Sequence, residues 1–202
     1  EELRAALRLP AAFNPKANAL ARQWAQDSAG HEEILERGIE FFRRAGLEYS
    51  LTPPPLGRAS VAAFLFGPPR GFCEPFSSAF ASLMRAAGVP TRVVTGYQGG
   101  EVNPVDGYVV VRQADAHAWT EVWLEARGWI RVDPTAVAVP LRVESGLAAA
   151  VPLGEPVPFL ARADLMWLRA LRHNWEALAN YWNQWVIGYT PERQRGLFGR
   201  LG

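Results

Sequence analysis

Apolar residues in the first quarter of the chain recur three or four positions apart, the spacing of one helical face. Gly30 interrupts this pattern, which predicts two helices before about residue 48. A second apolar stripe covers residues 76–87, where Gly88 and Pro90 end it. We therefore predict a further helix over 76–87.

Short segments in which apolar and polar side chains alternate follow this helix. They cover residues 92–98, 108–112, 117–124 and 129–132, and glycines at 99–100 supply a turn. Helices followed by a run of neighbouring strands favour an α+β fold with an antiparallel sheet. We expect the helix over 76–87 to pack on that sheet.

The last part of the chain has a different pattern. Small residues predict a linker at 146–160, and a helix is predicted from about 161 to 187. We therefore divide the chain into a domain over 1–145, this linker and a helical segment over 161–202. One stripe of the last helix is apolar and consists of Leu168, Leu171, Trp175, Leu178, Trp182 and Trp185. This stripe either packs on the domain or meets the surface of a bilayer, where tryptophan is favoured.

Composition excludes several classes of protein. The chain has 202 residues, of which 49% are hydrophobic, and its net charge of +1 gives no electrostatic case for a nucleic-acid partner. A single cysteine rules out an internal disulfide, and the histidines show no metal-ligand spacing, so we predict no metal or cofactor. No apolar run reaches the roughly 20 residues that span a bilayer. We expect an excised soluble domain.

Three residues could form a nucleophilic site. Cys73 lies just before the predicted helix, where the helix dipole favours the reactive thiolate. His117 and Asp133 lie on successive strands, and an odd-numbered loop would make them diagonal neighbours on one face. Each residue also has a purely structural interpretation. Cys73 could be a buried structural cysteine, His117 a core histidine and Asp133 a turn residue. Together they match a nucleophile, a base and a residue that orients the base.

Several sequence blocks resemble the transglutaminase-like superfamily. They are residues 71–73, 83–90, 92–97, 117–123 and 128–135, in that order. His117 lies 44 residues after Cys73, and Asp133 lies 16 residues after His117, which suits that core. Residues 96–104 and 185–195 are similar, more narrowly, to the bacterial TgpA group. Pro75 departs from the histidine frequent there, and a proline in the first helical turn is structurally benign.

The resemblance implies a papain-like fold with a catalytic triad of Cys73, His117 and Asp133. It implies an acyltransferase that forms a thioester at Cys73 from a glutamine side chain of a protein or peptide and passes the acyl group to an amine. It also implies a periplasmic domain of a bacterial inner-membrane protein, whose transmembrane segments lie outside this chain. The oligomeric state is left open.

Other functions use the same residues. A cysteine peptidase or amidase would have this triad with water as the acceptor. A binding module could keep the fold without chemistry. An arylamine acyltransferase is less favoured, because nothing in the sequence marks a coenzyme A site.

Overall fold

An amino-terminal group of helices precedes most of the strands in the computed structural model, which describes residues 1–10, 14–140 and 166–186. The first helices are α1 (Glu2–Ala5), α2 (Pro15–Gln26), α3 (His31–Arg44), α4 (Ser60–Phe66) and α5 (Cys73–Ala86). The strands are β1 (Glu48–Tyr49), β2 (Arg70–Gly71), β3 (Thr91–Tyr97), β4 (Glu101–Val102), β5 (Val109–Val110), β6 (Ala116–Leu124) and β7 (Gly128–Val132). A 3-10 helix (Gln113–Asp115) precedes β6, and α6 (Pro134–Ala138) and α7 (Met166–Val186) come last.

The two helices predicted before residue 48 are α2 and α3. Gly30 is the N-cap of α3, as its position between the two apolar patterns suggests. Acidic residues lie in the first turn of α3 and Arg43 and Arg44 in its last turn, so their charges complement the helix dipole. The structure adds the single-turn helix α1, which the apolar pattern does not predict.

Helix α5 provides much of the core. Its buried side chains are Phe76, Ser77, Ala79, Phe80, Ala81, Leu83 and Met84. Phe80 meets Phe42 of α3 edge to face at 5.2 Å between ring centroids, and Phe76 meets Phe64 of α4 at 5.0 Å. The helix begins at Cys73, so the cysteine is its first residue and does not lie in the preceding loop.

Strands β3, β6 and β7 form the antiparallel sheet, with β6 in the centre. From Ala118 to Leu124 the even-numbered residues of β6 are buried and the odd-numbered ones are half-buried, as the alternating pattern predicts. At the start of the strand Ala116 is half-buried and His117 is buried. Ser77 of α5 donates a hydrogen bond of 2.8 Å from Oγ to the carbonyl oxygen of Ala118. The predicted α+β fold, with this helix on an antiparallel sheet, is confirmed.

A strand forms within the segment 108–112, but it is shorter than predicted and belongs to a separate two-stranded sheet. Only Val109–Val110 is a strand, and it pairs with β4 alone. The reason is local turn chemistry. The side-chain oxygen of Asn103 accepts a hydrogen bond from the N–H of Val105 at 2.9 Å. The backbone oxygen of Asn103 accepts one from the N–H of Gly107 at 2.8 Å. These bonds close a tight hairpin of β4 and β5.

The described elements form two compact units. The smaller one contains the β4–β5 hairpin and α7. Within it, Glu101 accepts a hydrogen bond from Arg172 at 2.8 Å and lies 2.9 Å from His173 Nε2. The Asn103 side chain donates to the His173 carbonyl at 2.8 Å. The sequence assigns this hairpin to the first domain, whereas the structure groups it with α7. The linker at 146–160 lies outside the described residues, and the division of the chain at 145 and 160 stays a prediction.

The face of α7 opposite these polar contacts is apolar and exposed. Leu171, Trp175, Leu178 and Trp182 are each between 60% and 70% exposed. No helix in the described part of the chain has the length and apolar character needed to cross a membrane. The sequence-based prediction that this stripe meets a bilayer surface concerns a helix lying along the membrane.

Replacing Trp175 and Trp182 together by serine tests this prediction. If the stripe inserts into the headgroup region, binding to phospholipid vesicles should fall by about tenfold or more, because both indoles leave the interface. Vesicle co-sedimentation measures the change. The control is Tyr181→Ser, which removes an exposed aromatic ring from another side of the same helix. A parent chain that does not bind vesicles would contradict the prediction.

Candidate active site

Cys73 occupies the first position of α5 and is half-buried. The preceding residue, Phe72, is extended and acts as the N-cap. Backbone N–H groups in the first helical turn have no partners within the helix, and the positive end of the dipole lies there. Both effects favour the thiolate form of a cysteine at this position.

His117 and Asp133 are brought together by the register of β6 and β7. Thr120 pairs with Val132, and the loop between the strands has three residues, 125–127. Extending this register makes Asp133 the diagonal neighbour of His117, as an odd-numbered loop requires. His117 Nε2 lies 2.6 Å from Asp133 Oδ2, and the histidine side chain is fully buried.

The carboxylate of Asp133 has a second structural role as the N-cap of α6. Its Oδ1 accepts hydrogen bonds from the N–H groups of Thr135 at 3.1 Å and Ala136 at 3.3 Å. One oxygen therefore binds the start of α6 and the other binds the imidazole, so both oxygens of the carboxylate are restrained. The sequence analysis does not predict this cap, although an aspartate followed by a proline is a common start of a helix.

The pKa of His117 depends on Asp133 and Cys73. Burial alone would lower this pKa, but hydrogen bonding and negative charge from Asp133 and Cys73 outweigh burial and raise it from 6.5 to about 9. The other ring nitrogen, Nδ1, is buried and has no partner of strict hydrogen-bond geometry among the described residues. Because Nε2 is engaged by Asp133, Nδ1 is the nitrogen that would exchange a proton if His117 acts on Cys73.

The structure pairs His117 with Asp133, and Cys73 is close enough to help raise the pKa of His117. All of these residues lie within the larger unit. Their catalytic roles stay predictions. Chemically, a thiol at a helix start beside a basic imidazole with a buried carboxylate partner can support nucleophilic attack on a carbonyl carbon. In the described part of the chain, no group of three or more His, Cys, Asp and Glu residues could hold a metal ion.

The sequence of this chain is similar to those of known proteins. The chain matches the Transglutaminase-like superfamily over residues 19–134. It is 40% identical over 200 residues to a protein-glutamine gamma-glutamyltransferase of Pseudomonas aeruginosa, covering 96% of this chain and 30% of that protein. It is 30% identical over 136 residues to the uncharacterized protein YebA of Bacillus subtilis, covering 64% of this chain and 18% of that protein. The chain thus spans less than a third of the length of these relatives.

Solved structures are also similar to this chain. The periplasmic domain of TgpA from Pseudomonas aeruginosa is 43% identical with a TM-score of 0.71, over 74% of this chain and 52% of that one. A putative cysteine protease from Cytophaga hutchinsonii is 20% identical with a TM-score of 0.50, over 69% of this chain and 44% of that one, and shows the fold alone. From the match over residues 19–134, this chain belongs to the transglutaminase-like superfamily.

Proposed function

We propose that this chain is a cysteine acyltransferase that acts on glutamine side chains of proteins or peptides. The observation that carries the proposal is the buried imidazole of His117, held 2.6 Å from Asp133 and interacting with Cys73. A histidine of this basicity can keep the thiol ionised and still return the proton later. The 40% identity to a protein-glutamine gamma-glutamyltransferase supports glutamine as the acyl donor.

The reaction would proceed in two steps. The Cys73 thiolate attacks the carboxamide carbon of glutamine, a C–S bond forms, and the C–N bond breaks as His117 gives its proton to the departing ammonia. The product is a thioester. A primary amine then attacks the thioester carbon and gives a proton to His117, and the sulfur leaves as thiolate. Asp133 stabilises the imidazolium in both steps.

The negative oxygen that develops during each attack needs hydrogen-bond donors. The N–H of Cys73 is the leading candidate, because the first residue of a helix does not use its N–H for an intrahelical bond. The start of α5 would therefore stabilise both the thiolate of Cys73 and the oxyanion.

Water in place of the amine would convert the same intermediate into a hydrolysis product. The similarity in fold to a putative cysteine protease is compatible with this alternative. The choice depends on which acceptor reaches the thioester, since the triad itself serves both reactions. We favour an amine as the acceptor because the 40% identical relative is a protein-glutamine gamma-glutamyltransferase.

We also propose that the chain works in the periplasm, anchored to the inner membrane by segments outside this sequence. The support is the 43% identity to the periplasmic domain of TgpA. Its partners would then be periplasmic proteins with accessible glutamine side chains and an amine donor.

Incubation of the protein with a glutamine peptide, with and without a primary amine, tests the function. Mass spectrometry should show the amine coupled to the peptide with loss of ammonia. Cys73→Ala should abolish the product and change the free energy of unfolding by about 1 kcal/mol or less, because the side chain is only half-buried. Deamidation as the sole product would favour the hydrolase, and turnover by the alanine variant would reject Cys73 as nucleophile.

Asp133→Asn separates the charge of this residue from its capping role. Asparagine is an equally good N-cap, so α6 should keep its start, whereas Asp133→Ala should lose about 1 kcal/mol more stability. We expect kcat of the asparagine variant to fall by roughly two to four orders of magnitude with little change in KM, because the carboxylate acts on the imidazolium during reaction. Steady-state kinetics and urea unfolding of both variants measure this. An altered KM at unchanged kcat would contradict the role.

The raised pKa of His117 predicts a pH dependence of stability. Because the folded pKa is about 9 and the ordinary value is 6.5, the stabilisation is fully present below pH 6.5 and is lost as pH rises through about 9. The free energy of unfolding of the wild type should decline across this window. The decline should be smaller in Asp133→Asn, where the imidazolium has lost its charged partner. Parallel pH profiles of the two proteins would contradict the pairing.

A further inference from the structure

The side chain next to His117 on the same face of β6 is Trp119. Its ring system lies 6.4 Å from the imidazole centroid with an angle of 21° between the planes, which is an offset stack. The indole N–H is buried and has no hydrogen-bond partner among the described residues. Since buried tryptophans usually have such a partner, ring packing and not hydrogen bonding holds this indole in place.

Arg131 of β7 joins this stack to the carboxylate. Its guanidinium carbon lies 4.2 Å from the centroid of the Trp119 ring, within the range of a cation–π contact. Its Nη2 lies 3.8 Å from Asp133 Oδ2, the same oxygen that binds His117. Arg131 thus contacts the two side chains that flank the imidazole, one through its flat face and the other through its charge.

Strand β3 leaves space for the indole. Gly96 pairs with His117 in the sheet, and a Cβ atom at Gly96 would lie 2.9 Å from Cη2 and 3.3 Å from Cζ3 of Trp119. Such distances force the neighbouring ring to move. The Trp119 ring can therefore occupy its observed position because residue 96 is a glycine.

We propose that Trp119 and Arg131 are positioning residues for His117. The imidazole must direct Nε2 to Asp133 while Nδ1 remains available to Cys73, and a turn of the ring about its Cβ–Cγ bond would disturb both relations. The stack on Trp119, held in turn by Arg131, restricts that turn. This inference rests on the proposed function in assuming that His117 activates Cys73.

The test uses four substitutions: Trp119→Leu, Gly96→Ala, Arg131→Gln and Arg131→Lys. Leucine removes the aromatic plane, alanine displaces it from the neighbouring strand, and lysine keeps the charge of Arg131 without its flat guanidinium. The matched control is Arg92→Gln. Arg92 also lies 4.2 Å over a tryptophan ring, that of Trp129, and pairs with a carboxylate, Glu121, at 2.7 Å. These partners are different residues from Trp119 and Asp133.

The primary readout is the rate at which iodoacetamide alkylates the protein as a function of pH. The chain has one cysteine, so this rate reports Cys73 alone and needs no substrate. We expect Trp119→Leu and both Arg131 variants to lower the rate near neutral pH by roughly tenfold and to shift its pH profile. Gly96→Ala should change it in the same direction, and Arg92→Gln should keep the parent profile. In the transfer assay, the loss should appear in kcat with KM within about twofold.

Unchanged alkylation profiles in folded Trp119→Leu and Arg131→Gln proteins would overturn the proposal, as would a parent profile for Arg131→Lys. If Trp119→Leu does not fold by circular dichroism, the Arg131 and Gly96 variants decide. The proposed function can fail separately. The parent protein could show no acyl transfer while its alkylation is slowed by His117→Ala and by these variants. In that case the positioning role stands without the transferase assignment.

Discussion

Helix α5 packs on strand β6, and a buried hydrogen bond joins them at one point, from Ser77 Oγ to the carbonyl oxygen of Ala118 at 2.8 Å. Cys73 lies one turn before Ser77 on the helix, and His117 precedes Ala118 on the strand. The bond therefore fixes the helix along the strand at the place where the proposed nucleophile and the proposed base must meet. A shift of even one ångström there would be expected to cost much of the rate.

The aromatic core keeps this contact in place. Phe80 and Phe76 of α5 are fully buried and pack edge to face against Phe42 and Phe64. Before the helix, Gly71 allows close packing, because a Cβ atom there would lie 2.9 Å from the ring of Phe64. The helix is thus held along its length and at its start. The position of Cys73 therefore depends on core residues that lie outside the site.

Much of this arrangement is predictable from the sequence. Alternation along 117–124 identifies the core face of β6, and the strand spacing predicts that His117 and Asp133 are neighbours. The short pair β1 and β2 is not predictable, since two-residue strands have no period. The grouping of the β4–β5 hairpin with α7 is hidden for another reason. It depends on polar contacts such as Glu101 with Arg172, which join residues far apart in the chain.

Trp119 shows a further limit. Its place on the face of His117 follows from the alternation, but its stacking on the imidazole and its contact with Arg131 depend on rotamers and on the space left by Gly96. Patterns identify which side chains share a face, whereas contacts within that face require the packed sheet.

The most direct measurement of the central claim is to trap the acyl-enzyme. The protein would be mixed with a glutamine peptide without amine, quenched in acid within the first turnover and digested for mass spectrometry. We expect the fragment that contains Cys73 to gain the mass of the peptide less one ammonia, and to lose this added mass when amine is added before the quench. An unmodified Cys73 during demonstrated turnover, or an acyl group on another residue, would contradict the account.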